Sequence, residues 1–478
     1  MLTRGVLGYV LVLLGGLVVS VLPVSSPLDD LPLRHDTPGR LVGLVLVIGG
    51  LGLGGHAWLE LLRDVRRGAG AARMLLVHRA TACWSLPLLL APAMFSRDGW
   101  SYAAQGVMAR IGVSPYEHGP GVLRGEVVEA VDPMWLDTAT PYGPLPLAWG
   151  AFAAGFTREP WDLVVAHRLL ALAGLALLAW AVPRLAAAAG RDPAYAAALV
   201  LPSPLVLAHG VAGLHNDLLM VGLMAAALAV AVERHWVLGA ALGGAAAAVK
   251  LPGGLVCVAV ALVALPAAAG PADRVRRLVA VAGVSGGVLV VIGLVTGLGV
   301  GWVHALGVPG VVRSPLSVTT QVGELLSWLQ QLAGLPGPSP VEVLRLSGTV
   351  LALAVAAVCA MRAPTGRAST AVAVTGLVAL ATVVLGPVVH HWYALWALPF
   401  LAATRLGARA EAALVGFVGL AGLVAPLDST LRARGTDIAV AVVLVLGVAV
   451  AQAVGHRRAL ETAARGAAER PTPVSQPG

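Results

Sequence analysis

Apolar stretches close to 20 residues long recur along this chain, and their length restricts its fold more than any other feature. A helix needs about 20 apolar residues to cross the hydrocarbon core of a bilayer. The pattern predicts an all-α polytopic membrane protein of about 13–14 transmembrane helices in one domain, residues 1–458. Fourteen spans are expected, at residues 5–24, 41–62, 79–95, 162–183, 193–208, 214–232, 236–250, 252–270, 279–300, 346–361, 369–386, 389–404, 411–426 and 437–454.

Charged residues are scarce and unevenly placed. They make up 12% of the chain, whereas soluble domains carry about 25%. A net charge of +8 could suit nucleic acid, but most Arg residues lie in short segments between apolar stretches, as the positive-inside rule describes. Ala, Gly, Val and Leu dominate, which is typical of a GC-rich bacterial genome. We therefore expect a multi-pass bacterial plasma-membrane protein with cytoplasmic termini and no nucleic-acid partner.

The same orientation places two long loops outside, at residues 96–161 and 301–345. Loops of this length are more often functional than simple connections. Residues 459–478 are expected to form a disordered cytoplasmic tail, since they are rich in Ala and Pro. The spans that meet around Lys250 and around residues 386–387 are close enough to be broken or re-entrant. The glycine-rich run 49–55 lies inside an apolar span, which favours close helix packing over a nucleotide-binding loop.

Asp98 is the first candidate catalytic residue, because it follows an apolar span directly and opens the first long loop. A carboxylate at a membrane edge usually has a function. It could cap a helix or pair with Arg97, or it could act as a general base toward a hydroxyl group. Tyr102 and Gln105 would share a helix face with it and offer hydroxyl and amide groups to a sugar.

A second polar group follows a short turn at His215, Asn216 and Asp217, at the start of another span. Asn216 or Asp217 could cap that helix, or the three side chains could contact a substrate. Lys250 ends a later span at the same predicted side. It could extend to the membrane surface, or it could supply a point cation that stabilises a phosphate leaving group.

Aromatic residues and one arginine complete the candidate site. Tyr116 and Tyr142 lie in proline-rich turns, which could be ordinary turns or rigid walls beside a sugar. His391 and Trp392 stand in an aromatic run that could belong to the membrane interface or guard the entry of a lipid carrier. Arg313, in the second long loop, is a further candidate anion ligand. No metal-ligand spacing and no Walker A motif occur, so the sequence predicts no cofactor.

Several of these motifs, in order, resemble one enzyme family. Residues 96–98 and 101–106 resemble the first outer loop of the actinobacterial polyprenol-phosphate-mannose-dependent α-(1→6)-mannosyltransferases, which have the GT-C fold and build lipomannan and lipoarabinomannan. The resemblance continues through residues 115–120, 132–138, 141–144, 215–217, 250–252 and 392–396. Residues 99–100, 114 and 390–391 differ from the family pattern, which leaves the acceptor and the linkage open.

The resemblance implies a GT-C-type bundle and an inverting transfer of mannose from a polyprenyl phosphate to a mannan or lipid-anchored glycan on the external face. By this analogy Asp98 is the base, and Lys250, with Arg97 or Arg313, holds the donor phosphate. The tyrosines, Gln105, residues 215–217, His391 and Trp392 contact the sugars. No nucleotide sugar is needed, and a divalent ion that bridges Asp98 and the phosphate stays open.

Three alternatives remain at the level of sequence. A transporter or lipid flippase would use charged groups near the bilayer midplane, often between inverted repeats, and neither feature is evident. A related GT-C enzyme could use another lipid-linked sugar, such as arabinofuranose. The chain could also be a non-catalytic assembly subunit. The linkage of the product formed from labelled donor distinguishes these hypotheses.

Overall fold

The computed structural model describes residues 1–233, 235–427 and 435–468, and these residues form helices and connecting segments without a β-strand. Their α-helices are α1 (Leu2–Val19), α2 (Pro32–His35), α3 (Thr37–Arg67), α4 (Ala72–Ser85), α5 (Asp98–Arg110), α6 (Glu126–Glu129), α7 (Pro133–Leu136), α8 (Pro144–Ala153), α9 (Pro160–Ala188), α10 (Pro193–Val200), α11 (Asp217–Val232), α12 (Trp236–Val249), α13 (Val256–Val263), α14 (Pro271–Val295), α15 (Val308–Val311), α16 (Val318–Leu332), α17 (Pro340–Arg362), α18 (Ala368–Leu385), α19 (Leu398–Ala403), α20 (Ala408–Leu423) and α21 (Gly435–Ala468). The predicted all-α polytopic membrane class is confirmed.

Fewer helices are long enough to cross a membrane than the fourteen spans predicted. Seven of the described helices are long and apolar enough, namely α1, α3, α9, α14, α17, α18 and the 437–455 part of α21. An eighth span arises if the π-helix Val206–Ala212 and α11, which meet at 110°, are counted together. The other predicted spans are shorter helices or helices that break before they reach full length.

Proline explains most of these breaks, because it lacks a backbone donor and clashes with the preceding helical turn. The predicted span 79–95 stops being α-helical at Ser85, beside Pro87 and Pro92. Pro202 and Pro204 interrupt the span predicted at 193–208. The segments around Lys250 and around residues 386–387 are broken, as predicted. Irregular backbone is tolerated in a membrane protein where it is buried in the protein or lines a cavity.

Helices α1 and α3 pack closely through glycine, which confirms the prediction for the run 49–55. A Cβ atom at Gly8 would stand 2.8 Å from the carbonyl oxygen of Gly50, and one at Gly50 would stand 2.5 Å from that of Gly8. Backbones approach this closely only where both side chains are absent.

The two long loop regions differ in how they are built. Region 96–161 contains α5 to α8 and packs inward, since a Cβ at Gly106 on α5 would stand 2.7 Å from the backbone of Gly150 on α8. Region 301–345 contains α15 and α16, and apolar side chains of α16 are exposed. Residues 459–468 continue α21 as helix in place of the predicted disorder, while residues 469–478 lie outside the described residues.

Candidate active site

Two broken segments deliver the candidate site residues, and each ends in a strained turn. Phe95, three residues before Asp98, has φ 63°, and Leu214, directly before His215, has φ 44°. Residues other than glycine rarely adopt positive φ, and such strain persists only where the surroundings impose it. Both turns therefore place their polar side chains at a conformational cost, which is common at functional sites.

Arg168, on α9, holds the two broken segments together. Its guanidinium donates to the carbonyl oxygens of Leu89 and Pro92 at 2.9 Å, in the segment that leads to Asp98. It also donates to Val211 at 3.1 Å and Ala212 at 3.5 Å, in the segment that leads to His215. Arg168 is 1% exposed. The fork of donors on one guanidinium thus satisfies carbonyl groups that the broken helices leave without their usual partners.

Asp98 begins α5 with a buried side chain, and its Oδ2 atom faces three polar groups. The hydroxyl oxygens of Tyr102 and Tyr142 each lie 3.4 Å from it and 2.9 Å from each other, so one phenol donates to the other and the second donates to the carboxylate. Nδ1 of His215 lies 3.5 Å away. Asp98 does not cap α5, because the N-cap residue is Arg97. The guanidinium of Arg97 donates to the carbonyl oxygens of residues 130 and 131, and not to Asp98.

The electrostatic surroundings keep Asp98 ionised. Burial alone would raise the pKa of Asp98, but the hydrogen bond and charge of His215, with the charges of His390 and Lys250, hold that pKa below its ordinary value. Burial raises the pKa of Tyr102 and Tyr142 well above the usual range, so both phenols remain protonated donors. The site therefore combines an anionic carboxylate with neutral donors.

Lys250 is fixed in a cage of aromatic rings and one carboxylate. Its Nζ atom donates to Oδ1 of Asp217 at 3.0 Å, and the same oxygen accepts from the indole of Trp396 at 2.6 Å. The ammonium also lies 4.3 Å from the ring centre of Tyr393 and 5.4 Å from that of Tyr142. A cation over aromatic faces is stabilised by the ring quadrupole. Lys250 thus points into the protein and does not extend to the membrane surface.

Close backbone contact brings Tyr142 to this cage. The N–H of Gly143 donates to the carbonyl oxygen of Val249 at 2.9 Å, and a Cβ at Gly143 would stand 2.3 Å from the carbonyl oxygen of Ala248. Only glycine fits at this contact. The turn at 141–143 is therefore docked on the end of α12, next to Lys250.

The indole of Trp392 stacks with two histidine rings. Its ring centre lies 3.8 Å from that of His215 and 4.4 Å from that of His390, with interplanar angles of 14° and 7°. Both nitrogen atoms of His215 are buried, and Nδ1 faces Oδ2 of Asp98 at 3.5 Å. His215 therefore presents a ring nitrogen toward Asp98 from a fixed position.

A small cavity joins these groups. It has a volume of about 30 Å³, enough for one or two water molecules. Both Asp98 and Lys250 line it, together with aromatic and apolar side chains: Trp135, Pro141, Tyr142, Val308, Val312, Val388, His390, Trp392 and Tyr393. A carboxylate and an ammonium therefore line one cavity, in which the first could accept a proton from a hydroxyl group and the second could bind a phosphate.

Other predicted site residues take positions away from the cavity. Gln105 accepts from Thr140 at 3.0 Å and so holds the turn that carries Tyr142. Tyr116 is buried in a separate apolar cluster beside the start of the second loop region. Arg313 follows Val312 of the cavity wall, but its exposed side chain pairs with Glu324 at 3.4 Å.

His391, Asn216 and Asp217 are the remaining predicted site residues. His391 stacks on His209 at 6.0 Å and is absent from the cavity lining. Asn216 is buried at the start of α11. It occupies the N-cap position of α11 without a side-chain capping hydrogen bond. The capping alternative is wrong for Asp217, whose Oδ1 is occupied by Lys250 and Trp396.

Trp135, His390, Tyr393 and Trp396 were not predicted individually as site residues. His390 and Tyr393 entered only as members of the aromatic run that could guard a lipid carrier, and Trp135 and Trp396 only through the family resemblance. Three of them fall in the aromatic run 390–396, of which only two members were predicted individually. Their spacing gave a usable signal, because this run forms a short 3-10 helix, His391–Trp396, in which residues three apart share a face. Tyr393 and Trp396 stack accordingly, with ring centres 4.4 Å apart.

Comparison with known proteins identifies a family over most of the chain. The family model "Alpha-(1->6)-mannopyranosyltransferase, N-terminal domain" matches residues 2–266, and the model "MptB C-terminal domain" matches residues 319–454. The first match covers α1 to α13, and therefore Asp98, residues 215–217 and Lys250.

Individual relatives match over most of the chain. A Mycolicibacterium smegmatis protein named "Probable alpha-(1->6)-mannopyranosyltransferase" is 34% identical over 87% of this chain and 82% of its own length. Alpha-(1->6)-mannopyranosyltransferase A of Mycobacterium tuberculosis is 33% identical over 86% and 81%. Alpha-(1->6)-mannopyranosyltransferase B of Corynebacterium glutamicum is 28% identical over 83% and 72%. No solved structure matches.

Identities above 30% over more than four fifths of both chains, together with the two model matches, establish the family. The apolar helices place the protein in a membrane. The chain therefore belongs to the α-(1→6)-mannopyranosyltransferase family, and it is a membrane mannosyltransferase.

Proposed function

We propose that this mannosyltransferase takes mannose from a polyprenyl-phosphate-mannose donor and forms an α-(1→6) linkage on a mannan or lipid-anchored glycan. The relatives are named for that linkage. A polyprenyl donor suits a chain whose candidate active site has no nucleotide-binding motif and lies among membrane helices. We further propose that the site faces the outside of the plasma membrane and that both termini are cytoplasmic, as the distribution of arginine favours.

One observation carries the chemical part of the proposal: Asp98 and Lys250 line the same cavity. Transfer between a phosphate ester and a hydroxyl group requires a base for the hydroxyl proton and positive charge for the departing phosphate. Asp98 is anionic and supplies the base. Lys250 supplies the positive charge.

The proposed step is a single displacement. The acceptor hydroxyl oxygen attacks C1 of mannose, and the bond between C1 and the phosphate oxygen breaks as the new bond forms. The hydroxyl proton passes to Asp98, and the electron pair of the broken bond leaves with polyprenyl phosphate. A β-linked donor then gives an α product, so no covalent intermediate with the enzyme and no second nucleophile are required. Asp98 returns its proton to solvent afterwards.

Asp217 and the tyrosines prepare this step. The carboxylate of Asp217 holds Lys250 in one position, so the ammonium is already oriented when a phosphate arrives. Tyr102 and Tyr142 hold Oδ2 of Asp98 and are linked to each other at 2.9 Å. Fixed donors and charges stabilise a transition state without reorganising during the reaction. The aromatic walls, among them Trp135 and Trp392, provide flat apolar surfaces for a sugar ring.

A cavity of about 30 Å³ is too small for a mannose ring, since it holds only one or two water molecules. Substrate binding therefore requires some of the lining side chains to move. Val308 and Val312 belong to the second loop region, which packs over the cavity from outside the helix bundle. We assign the opening to this region, because the opposite wall is fixed by Arg168 and Asp217.

The test supplies purified protein in lipid with radiolabelled polyprenyl-phosphate-mannose and short α-mannoside acceptors, and determines the product linkage. Wild-type protein is expected to form α-(1→6) product. Asp98→Asn should lose about 10²–10⁴-fold in rate, while the matched variant Asp162→Asn, whose exposed carboxylate accepts from Thr157, should keep full activity.

Other outcomes overturn defined parts of the proposal. Full activity in Asp98→Asn rejects the base. An α-(1→2) product rejects the linkage, and transfer only from polyprenyl-phosphate-arabinofuranose rejects the donor. Transfer that occurs only with a nucleotide sugar rejects the lipid carrier.

A further inference from the structure

A groove far larger than the active-site cavity lies between α3, α20 and α21. Its volume is about 530 Å³, within the range of about 300–1,000 Å³ typical of ligand sites. Six residues of one face of α3 form its floor: Gly55, Trp58, Leu59, Leu62, Arg63 and Arg66. These residues cover about 16 Å of the helix at 1.5 Å per residue. The groove is therefore long enough for a hydrocarbon chain.

The two ends of the groove differ in polarity. Helix α20 runs antiparallel to α3, because Glu411 near its start contacts Arg66 near the end of α3, while a Cβ at Gly419 would stand 3.7 Å from the ring of Trp58. Apolar side chains, glycines and Gln452 line one end, and charged groups line the other. Where Gly416 lines the wall, no other atom lies within 4 Å of the position that a Cβ would take.

Among the side chains that the structure describes at the charged end, arginines outnumber carboxylates. Arg63 and Arg66 line it, and Arg191 donates to Glu411 at 2.7 Å. The guanidinium groups of Arg66 and Arg191 also lie over the ring of Tyr195, at 4.4 and 5.4 Å. Arg66 and Arg191 thus share the single carboxylate of Glu411, which leaves one positive charge in excess among these three groups. Side-chain exposure of 55% leaves Arg66 open to a ligand.

The groove ends far from the active site. Helix α9 links the two places, because the ring of His167 lies 5.9 Å from that of Tyr102 at the site, and Arg191 follows the other end of α9. The helix rises about 32 Å between His167 and its last residue. The charged end therefore belongs to the opposite side of the membrane, out of reach of a donor phosphate bound beside Asp98.

We propose that this groove binds an anionic phospholipid of the leaflet opposite the active site. The arginines bind its phosphate, and one acyl chain lies along the apolar floor between α20 and α21. Charge complementarity favours this occupant over a zwitterionic lipid, since each arginine near a membrane surface attracts anionic lipid. The apolar length argues against a soluble phosphate compound, which would leave most of the groove uncovered. The binding is independent of the proposed transfer reaction.

Native mass spectrometry of the purified full chain, exchanged into detergent with phosphatidylglycerol or phosphatidylcholine of identical acyl chains, tests the proposal. We expect phosphatidylglycerol to remain bound where phosphatidylcholine dissociates. Arg63→Gln with Arg66→Gln should lower the bound fraction of phosphatidylglycerol about tenfold. The matched double variant Arg276→Gln with Arg277→Gln removes the same charge at the start of α14 and should leave binding unchanged.

A second variant tests the apolar part without touching an ion pair. Gly416→Leu places a side chain in the groove and should displace the lipid. Gly283→Leu, on α14, also enters open space and should not displace it. Equal retention of both lipids, equal loss in the two double-arginine variants, or full binding in Gly416→Leu would each reject the site. Exclusive retention of polyprenyl phosphate would reject a phospholipid as the occupant.

Discussion

Asp98 and Asp217 stand in segments that are built alike. Each follows a broken helix, a residue at positive φ and a segment tied to Arg168. Both carboxylates are buried at the start of a new helix. The backbone segments that carry the two aspartates therefore do not distinguish them. Their roles must come from the groups that surround each side chain.

Their partners differ in charge and in distance. Oδ1 of Asp217 is bound at 3.0 Å by the ammonium of Lys250 and at 2.6 Å by the indole of Trp396. Oδ2 of Asp98 has only longer contacts, of 3.4–3.5 Å, to two phenols and an imidazole. The first carboxylate is committed to a cation. The carboxylate of Asp98 is ionised and retains the capacity to accept a proton. Two aspartates in similarly built segments therefore have different roles.

The comparison is tested most strongly by removing each charge in turn. Asp217→Asn should lower the free energy of unfolding by about 3–5 kcal/mol, because it leaves the buried Lys250 without a counter-charge. Asp98→Asn should leave stability within about 1 kcal/mol, because the contacts of Asp98 are long, at 3.4–3.5 Å. Thermal unfolding of both variants in detergent measures the difference.

The pairing itself is checked by a double variant. Asp217→Asn combined with Lys250→Met removes both charges and should recover most of the lost stability while transfer stays absent. Equal destabilisation by Asp98→Asn and Asp217→Asn would show that the two carboxylates are not distinguished in this way.

Arg168 supports both segments, so its loss should affect both carboxylates. Arg168→Gln leaves buried carbonyl groups without donors, and we expect it to lower the free energy of unfolding by about 1.5–3 kcal/mol. The turnover number should fall more than the Michaelis constant rises, because the catalytic groups are displaced and not removed. Arg168→Lys keeps the charge with fewer donors and should be intermediate.

The acid side of the pH profile reports on Asp98 alone. A base must be deprotonated, so transfer should fall as pH drops through the pKa of Asp98, and this limb should lie below the ordinary value for aspartate of about 3.9. His215→Gln removes the principal group that lowers this pKa, and the limb should move to higher pH. An unmoved limb would show that His215 does not act on Asp98.

Tyr142→Phe should have the smallest effect. It removes the hydroxyl group that lies 3.4 Å from Asp98 and 2.9 Å from the hydroxyl of Tyr102, and it keeps the ring beside Lys250. We expect a loss of about 0.5–1.5 kcal/mol in transition-state stabilisation, or roughly three- to tenfold in rate. Tyr116→Phe alters a buried hydroxyl outside the cavity and serves as the matched control.

The sequence predicted the membrane class and the central groups, since apolar length and isolated polar residues are local signals. It overestimated the full-length spans, because an apolar stretch broken by Pro202 or Pro87 resembles a continuous one in hydrophobicity. The backbone carbonyls to which Arg97 donates were not foreseen, and its binding to a phosphate stays a prediction. Partners such as Asp217 for Lys250 are 33 residues apart, and no local pattern encodes that contact.

Arg168 also bears on how the chain is made. An arginine within an apolar helix opposes insertion by about 2.5–3.5 kcal/mol when the helix enters the bilayer alone. Leu89 and Pro92 are synthesised before α9, so they can accept from the guanidinium as soon as α9 emerges. Residues 211–212 are synthesised later, so they meet α9 after Arg168 has bound the segment 89–92. The order of synthesis therefore favours assembly of the segment that carries Asp98 on α9 first. The segment that carries Asp217 then packs on these two elements.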